Sequence, residues 1–580
     1  MKITIPRNDT ETIREVGQIE SFFLLLFTQF LPRQTRGIAF AASACFAMKK
    51  LLSDQQYAQY LADGILVIQP DSLTDDFHDH LFDCAQELYA MAEGSKSKTA
   101  HLDILGDSLR GRIPTLDRLF EDPSVSGALE SILGQDYAIH PHNFVHKSSQ
   151  ADQMFHQDGN LPWNERGHYR SHRPDWALLF YYPQEVTTDN GPTEVILGTQ
   201  YWTNDFEKED GTWHSFDPID RNLSPKDVAS DDLVSRDKKL SDSVVSFGVP
   251  GMRRSFVTVP KGSVVLCHYD IFHRGSRTGN ESQDRFMYKF HFMRTTEPSA
   301  AAWNNHGGFA EKEVPKYIRP VVRSIWNWST NTKTQTEPAS VNSTNMLLFN
   351  GHEAEKVGAA YLLAEHQSDE AIDNLLEALA ADEESVRRAA CYGLKASGHK
   401  HSEKILPFVK HRRVGTRRMA VYALGNAANG QHPEVVAGLL TALTEDEDDL
   451  VRSNAAYALG HVLRHSNVKV SPVVDILTDR LGPGVETNNT DTALFPRSTV
   501  RQSIAYSLLQ AACNHDLSPS QTEKILTSAL ADEDRYVQGF AVEIARRTDS
   551  LSEKSIDLLL SSLSRLRMSS RPRETSLNAR

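Results

Sequence analysis

A chain of 580 residues is long enough for about three or four domains and a large buried core. With 40% hydrophobic and 24% charged residues it reads as globular rather than fibrous or unstructured. A formal net charge of −14 and a pI near 5.9 exclude a broad nucleic-acid surface, while leaving room for a local basic pocket that takes an anionic substrate.

The five cysteines, Cys45, Cys84, Cys267, Cys391 and Cys513, are widely spaced and form no C-x-x-C pair. That spacing speaks against a disulfide framework and a thiolate metal site, and for a reducing, cytoplasmic setting. Residues 1–47 read as a poorly defined N-terminal extension. Its apolar run from Ser21 to Leu31 is too short for a bilayer, which needs ~20 residues. Asp9, Glu11, Glu15 and Glu20 precede the run, where a secretory signal wants basic residues. Met48 is the expected working start, with a targeting segment as the alternative, and no membrane association is expected.

From Met48 the pattern becomes regular. Ser53-Asp54-Gln55-Gln56 is a helix start, and Gly64 precedes the β-branched run Ile65 to Ile68. Asp71 to Glu93 predicts an amphipathic helix presenting Phe77, Leu81, Ala85, Leu88 and Met91, and Pro123 to Leu133 predicts another that stops at Gly134. From Tyr137 to about Thr296 strand signals dominate: 138–140, 143–145, 176–182, 193–196, 255–259, 263–266 and 286–292, punctuated by Gly, Pro and Asn. Many short strands with such turns predict a sandwich or barrel. The polar insertion 201–246 reads as a surface excursion or lid. Residues 297–350 read as a linker, richest in Ser, Thr and Asn from Ser329 onward.

Beyond it the chain repeats itself. Val386-Arg387-Arg388-Ala389-Ala390-Cys391-Tyr392-Gly393-Leu394 is echoed around Tyr422, Tyr457 and Tyr506, with weaker copies at 356–362 and 537–544. A period of roughly 30–35 with helical patterning predicts stacked helix pairs. The pattern resembles short HEAT-type repeats over about 351–560. The longest step contains an insertion, Gly482 to Pro496, and the tail 561–580 reads as basic and disordered. Arg387, Arg417, Arg452 and Arg501 form a ladder expected to pair with acidic residues of neighbouring repeats.

The chemistry-bearing stretch is Phe155-His156-Gln157-Asp158-Gly159-Asn160. In an extended strand His156 and Asp158 share a face. A second imidazole, His273, follows the β-rich approach Lys261 to His268. Two imidazoles and one carboxylate, with coordination positions left open, are the ligand set of a non-haem Fe(II) oxygenase. A 2-oxoglutarate co-substrate also needs a cation for its distal carboxylate, and an arginine fork suits it. Arg285, which opens the strand 286–292 and shares a face with Met287 and Lys289, is the first candidate; Arg277 is its rival.

Five co-linear motifs from about Met48 to Arg294 resemble the phytanoyl-CoA dioxygenase family. They are Leu61 to Ile68, Phe155-His156-Gln157-Asp158, Asp189 to Gln200, Pro260 to Leu266, and His273-Arg274-Gly275-Ser276-Arg277-Thr278-Gly279-Asn280. The resemblance implies an oxygenase domain over 48–296. Its fold is a double-stranded β-helix, a cupin-like jelly roll with flanking helices. The whole chain is then an α+β multidomain protein in which an all-α HEAT-type solenoid follows that roll. It implies His156, Asp158 and His273 as ligands of Fe(II) and as the catalytic centre, and Arg285 as the 2-oxoglutarate anchor. The implied reaction hydroxylates a C–H bond of a small-molecule substrate, consuming O₂ and releasing succinate and CO₂. Halogenating relatives replace the ligating carboxylate with a small residue, so Asp158 favours hydroxylation.

Other residues read more plainly. His268 lacks the Arg-Gly-Ser that follows His273 and reads as a packed imidazole; Arg110 and Arg112 read as a solvated turn; His146 and Lys147 read as a strand end with an option on the co-substrate. The alternative expectation for the whole chain is a scaffold. The repeat array would bind a protein partner or a second subunit, and the oxygenase domain would modify that partner or be silent.

Overall fold

The computed structural model describes residues 48–569 apart from 97–99, 108, 159–170, 208–218, 220–225, 227–231, 280–283, 310, 335–339, 429–431, 482–498 and 550. The N-terminal extension, the whole 482–496 insertion and the last eleven residues therefore lie outside it. Among the described residues no helix is long and apolar enough to cross a membrane.

Helix α1 (Asp54–Asp63) starts at Ser53, whose hydroxyl and Gln56 close a reciprocal capping box, and ends at Gly64 with φ 79°. Strand β1 (Ile65–Ile68) follows, then α2 (Asp75–Gly94) and α3 (Pro123–Leu133). Helix α2 buries Phe77, Leu81, Ala85 and Leu88, whereas Met91 at its end is exposed. The strands are β2 (Ala138–Lys147), β3 (Trp176–Tyr181), β4 (Thr193–Ile196), β5 (Arg254–Phe256), β6 (Val264–His268), β7 (His273–Gly275) and β8 (Phe286–Met293). They form two antiparallel sheets, one in the order β1-β6-β3-β8-β2 and the other β5-β4-β7. The central strand β3 is buried at every residue, as its continuous apolar run demands. Its register sets Phe180 opposite Lys289 on β8, and Leu178 opposite His291. Tyr181, on the other face, meets the His78 ring of α2 at 2.7 Å, so helices cover that side.

The insertion expected as a surface excursion is anchored in the core at several of its described residues, while others, Val234 among them, are exposed. Tyr201, Trp202 and Phe206 are buried, and helix α4 (Leu233–Val245) buries Leu240 and Val244. The Tyr201 hydroxyl donates to the Leu61 carbonyl at 2.5 Å. Its aromatic entry, not its polar majority, decides where it goes. The stretch read as a linker likewise carries two helices, α5 (Arg319–Thr330) and α6 (Val341–Asn350). Trp303 stacks on Tyr57 at 3.9 Å and meets Trp326 of α5 edge-on at 5.0 Å, which ties the segment to α1.

The repeat array comprises α7 (Glu353–His366), α8 (Asp369–Leu379), α9 (Glu384–Ala396), α10 (Val414–Ala427), α11 (Pro433–Glu445), α12 (Asp449–Val462), α13 (Val470–Asp479), α14 (Thr499–Asn514), α15 (Pro519–Ala529), α16 (Arg535–Arg547) and α17 (Glu553–Ser569). The last helix runs into the segment expected to be disordered. Two rungs of the arginine ladder, Arg417 and Arg501, pair with acidic residues of the next repeat as expected, whereas Arg452 turns to a carboxylate of its own helix. Arg417 forks onto Asp446 at 2.8 and 3.1 Å, Arg501 onto Asp532 at 2.8 and 3.2 Å, and Arg452 pairs with Asp449. Arg387 departs from the pattern, since its carboxylate partner is Glu207 of the insertion.

The repeat tyrosines face the sheets of the same chain. Tyr361 meets the His172 imidazole at 2.9 Å, and the Tyr392 ring lies over it at 4.0 Å. Tyr457 accepts the Trp176 indole N–H at 3.3 Å, Tyr506 stacks on Trp176, and Tyr536 bonds His142 of β2 at 2.6 Å. At the centre of this junction Arg464, fully buried, bonds Asp175 at 2.7 Å, Tyr506 at 2.7 Å, Gln510 at 3.0 Å and the Arg294 carbonyl at 3.1 Å. Phe180, Leu178 and Trp176 share one face of β3. The array therefore closes the end of the face that carries the candidate site.

Candidate metal centre

His156 and His273 lie directly opposite each other. Each backbone N–H donates to the other's carbonyl at 3.0 Å in an isolated antiparallel bridge, and the rings stand 4.6 Å apart. Among the described residues, 152–158 form only that one bridge and no regular strand. The alternation of side chains still holds. Gln157 points the opposite way, donating to the carbonyls of Asp270 (2.6 Å) and Trp202 (3.0 Å), and thereby fixes the direction of its neighbours.

Both imidazoles have the same internal tether. His156 Nδ1 meets the Met154 carbonyl at 2.9 Å, and His273 Nδ1 meets the Ile271 carbonyl at 3.0 Å. A carbonyl oxygen only accepts, so Nδ1 carries the proton and Nε2 keeps its lone pair. Asp158 completes the group, with one oxygen 3.7 Å from His273 Nε2. One ligand atom from each of the three residues lies within 4.8 Å of the others. Burial lowers the His273 pKa to about 3 and also lowers that of His156, so both rings are neutral near pH 7. Burial alone would raise the Asp158 carboxyl, but the Lys289 ammonium and His273 outweigh it and hold the carboxyl well below its usual range. Two neutral imidazoles that line a cavity, with one buried carboxylate beside them, fit a divalent metal whose remaining positions are left for other ligands.

Arg285 lines the same cavity. It is 3% exposed, its Nε donates to the Gly191 carbonyl at 2.9 Å, and among the described residues it has no carboxylate partner. Burial lowers its pKa. A buried guanidinium without a counter-charge, facing a cavity, is suited to an anionic ligand. The rival Arg277 instead turns to Asp152, at 2.9 Å to the side chain and 2.8 Å from its backbone N–H. His146 and Lys147 also border the cavity, and Lys147 pairs with Asp284 at 2.8 Å.

Lys289 occupies a place that sequence reasoning recorded only as sharing a face with Arg285. Its ammonium donates to both Asp158 oxygens, at 2.9 and 2.7 Å. The two-residue periodicity from Arg285 through Met287 was the available signal; the partner across the cavity was not visible without the fold. His268 is a packed imidazole, as expected, accepting the Asp270 N–H at 3.3 Å. Arg110 and Arg112, expected in a turn, lie instead in a short helix over Leu109–Arg112, and Arg110 pairs with Asp117 at 2.6 Å.

Residues 60–287 match the family model described as phytanoyl-CoA dioxygenase (PhyH), and residues 402–486 match that of HEAT repeats. No curated protein matches the chain. Among solved structures, HygX from Streptomyces hygroscopicus with nickel and 2-oxoglutarate bound is 16% identical with a TM-score of 0.27, covering 44% of this chain and 90% of its own. EctD from S. alaskensis with bound Fe is 15% identical with a TM-score of 0.28, covering 44% and 80%. The non-heme alpha ketoglutarate dependent carbocyclase SnoK from nogalamycin biosynthesis is 14% identical with a TM-score of 0.28, covering 42% and 85%.

Proposed function

From a chain that joins a phytanoyl-CoA dioxygenase domain to HEAT repeats, we propose an Fe(II)- and 2-oxoglutarate-dependent dioxygenase that hydroxylates a C–H bond of a small organic molecule. The observation that carries this reading is a single cavity. It is lined by His156 and His273, with Asp158 buried beside them, and by Arg285, which has no carboxylate partner among the described residues. His156, Asp158 and His273 hold the metal, and the Nδ1 tethers keep both rings turned toward it. Arg285 takes the distal carboxylate of the co-substrate and so orients its keto-acid end toward the donor set. Iron, when bound, supplies the O₂ chemistry that couples oxidation of 2-oxoglutarate to succinate and CO₂ with oxidation of the substrate. Because Asp158 fills the anionic position, the reading is hydroxylation rather than halide transfer.

The repeat array serves as a built-in support for this domain. Its tyrosine face is taken up by the chain's own sheets, so an outside protein would have to use the outer helices. The test is succinate formation. Full-length protein with Fe(II), 2-oxoglutarate and O₂ should release succinate slowly without added substrate, and His156→Ala should abolish it. Absence of both iron binding and succinate in the wild-type chain would refute the proposal.

A further inference from the structure

We propose, resting on the metal-centre reading above, that Lys289 makes occupancy of the metal site depend on an anion bound in the same cavity. Lys289 is 6% exposed, emerges from β8 into the cavity that Arg285 also lines, and reaches Asp158. Its ammonium lies 5.7 Å from the Phe180 ring centre and is paired only with Asp158 among the described residues. Of the four cations that line the cavity, Lys147 pairs with Asp284 and Arg274 with Glu194, which leaves Lys289 and Arg285 against one carboxylate, Asp158, among the described residues.

That count has a direction. Hydrogen-bond support for a metal-binding carboxylate is ordinarily given by a neutral donor or backbone group, and it strengthens metal binding. An ammonium gives the same hydrogen bonds but adds a like charge next to the cation site, where low dielectric amplifies it. Lys289 shares Asp158 in the metal-free state, so a divalent cation must compete with it for the carboxylate. Once Asp158 is engaged, Lys289 and Arg285 are both left short of counter-charge. A dicarboxylate supplies two negative charges at that point. By linkage, whatever the anion gains from the metal, the metal gains from the anion. Lys289 thus weakens the binding of metal alone and strengthens the binding of anion to the loaded site.

The experiment is a calorimetric titration of Mn(II) into metal-free full-length protein, with and without saturating 2-oxoglutarate. The variants are Lys289→Met, Lys289→Gln and His156→Ala. In the wild type, 2-oxoglutarate should tighten Mn(II) binding at least 30-fold. Lys289→Met and Lys289→Gln should bind Mn(II) alone at least as tightly as wild type, and the gain from 2-oxoglutarate should shrink at least tenfold. The glutamine keeps an N–H donor for Asp158, so it separates charge from hydrogen bonding if the methionine variant fails to fold. The inference is overturned if either folded variant binds Mn(II) alone about 10–100-fold more weakly with the 2-oxoglutarate gain intact, the behaviour of a simple hydrogen-bond support. It is also overturned if neither quantity changes. A wild-type chain that binds no Mn(II), matching His156→Ala, refutes the metal-centre reading itself, at a step in which Lys289 has no part.

Discussion

Arg464 offers the sharpest test of how the two halves of the chain depend on each other. It is fully buried in α12–α13 territory, and it reaches across to Asp175, the residue before β3, which is only 1% exposed. Replacing it with methionine keeps most of the volume and removes five hydrogen-bond interactions, including the 2.7 Å contacts to Asp175 and Tyr506. The dominant cost is the stranded carboxylate, whose remaining side-chain contact is the Ser171 hydroxyl at 3.3 Å. Breaking a buried pair from one side costs about 3–5 kcal/mol. Asp175→Asn in the Arg464→Met background removes the stranded charge, so the double variant should lose less than the sum of the two singles. The pH dependence has a definite sign. Burial would raise the Asp175 carboxyl, but Arg464 holds it far below its ordinary value of 3.8. Its stabilisation is therefore present above the ordinary value and is lost as pH falls through the lower folded one. The gap between wild type and Arg464→Met should narrow in acid, where the stranded carboxylate takes a proton. The assay is urea denaturation followed by tryptophan fluorescence and far-UV circular dichroism together. Stability within about 0.5 kcal/mol of wild type would refute the argument, given that ordinary surface changes fall in that range.

Three further outcomes follow from other parts of the molecule. Arg285→Met should weaken 2-oxoglutarate binding to the Mn(II)-loaded protein by about 2–5 kcal/mol, since it removes one side of a buried charge pair; an unchanged dissociation constant by calorimetry would reassign the anchor. Gly539→Val should destabilise by about 1–3 kcal/mol, because a side chain at Gly539 on α16 would collide with Pro141 on β2; limited proteolysis should then release the array sooner than in wild type. Lys395 is buried against the Tyr422 ring at 3.8 Å, and burial lowers its pKa from 10.5 to about 8. The unfolded chain binds the extra proton between those values, so stability should rise with pH from about 8 toward 10.5, by at most about 1.4 kcal/mol per unit. Lys395→Met should erase that rise in denaturation curves taken across the range.

Much of this was legible in the sequence where local chemistry and long-range packing agree. The helix Pro123–Leu133 and the strand Thr193–Ile196 have the bounds read from their caps and turns. The repeats were readable because each copy carries the same Ala, Leu and Tyr spacing. The three metal-binding candidates were readable because their motif context is local, even though His156 and His273 are far apart in the chain. The failures share a cause. Polar composition marked 201–246 and 297–350 as loose, yet a few aromatics, Tyr201, Trp202, Trp303 and Trp326, bury enough surface to fix both. Lys289 was seen as a face-mate of Arg285 but not as the partner of Asp158, because that contact exists only once β8 lies across the cavity from the His156 segment. Nor does the period of a repeat say what its inner face will touch, and contacts of the tyrosines with His172, Trp176 and His142 appear only in the folded chain.

The junction between the halves also has a history within each molecule. Arg464 meets the Arg294 carbonyl across 170 positions, and Arg547 meets the Tyr137 carbonyl across 410. A ribosome delivers the sheets first, at about 5–20 residues per second, and the helices that close over Trp176 and His142 follow tens of seconds later. During that interval an aromatic sheet end has no cover from its own chain. Contacts so distant in sequence form slowly and are vulnerable to aggregation. Synthesis of this protein should accordingly lean on chaperones, and heterologous yield should respond to slower translation and lower temperature more than to any change at the metal centre.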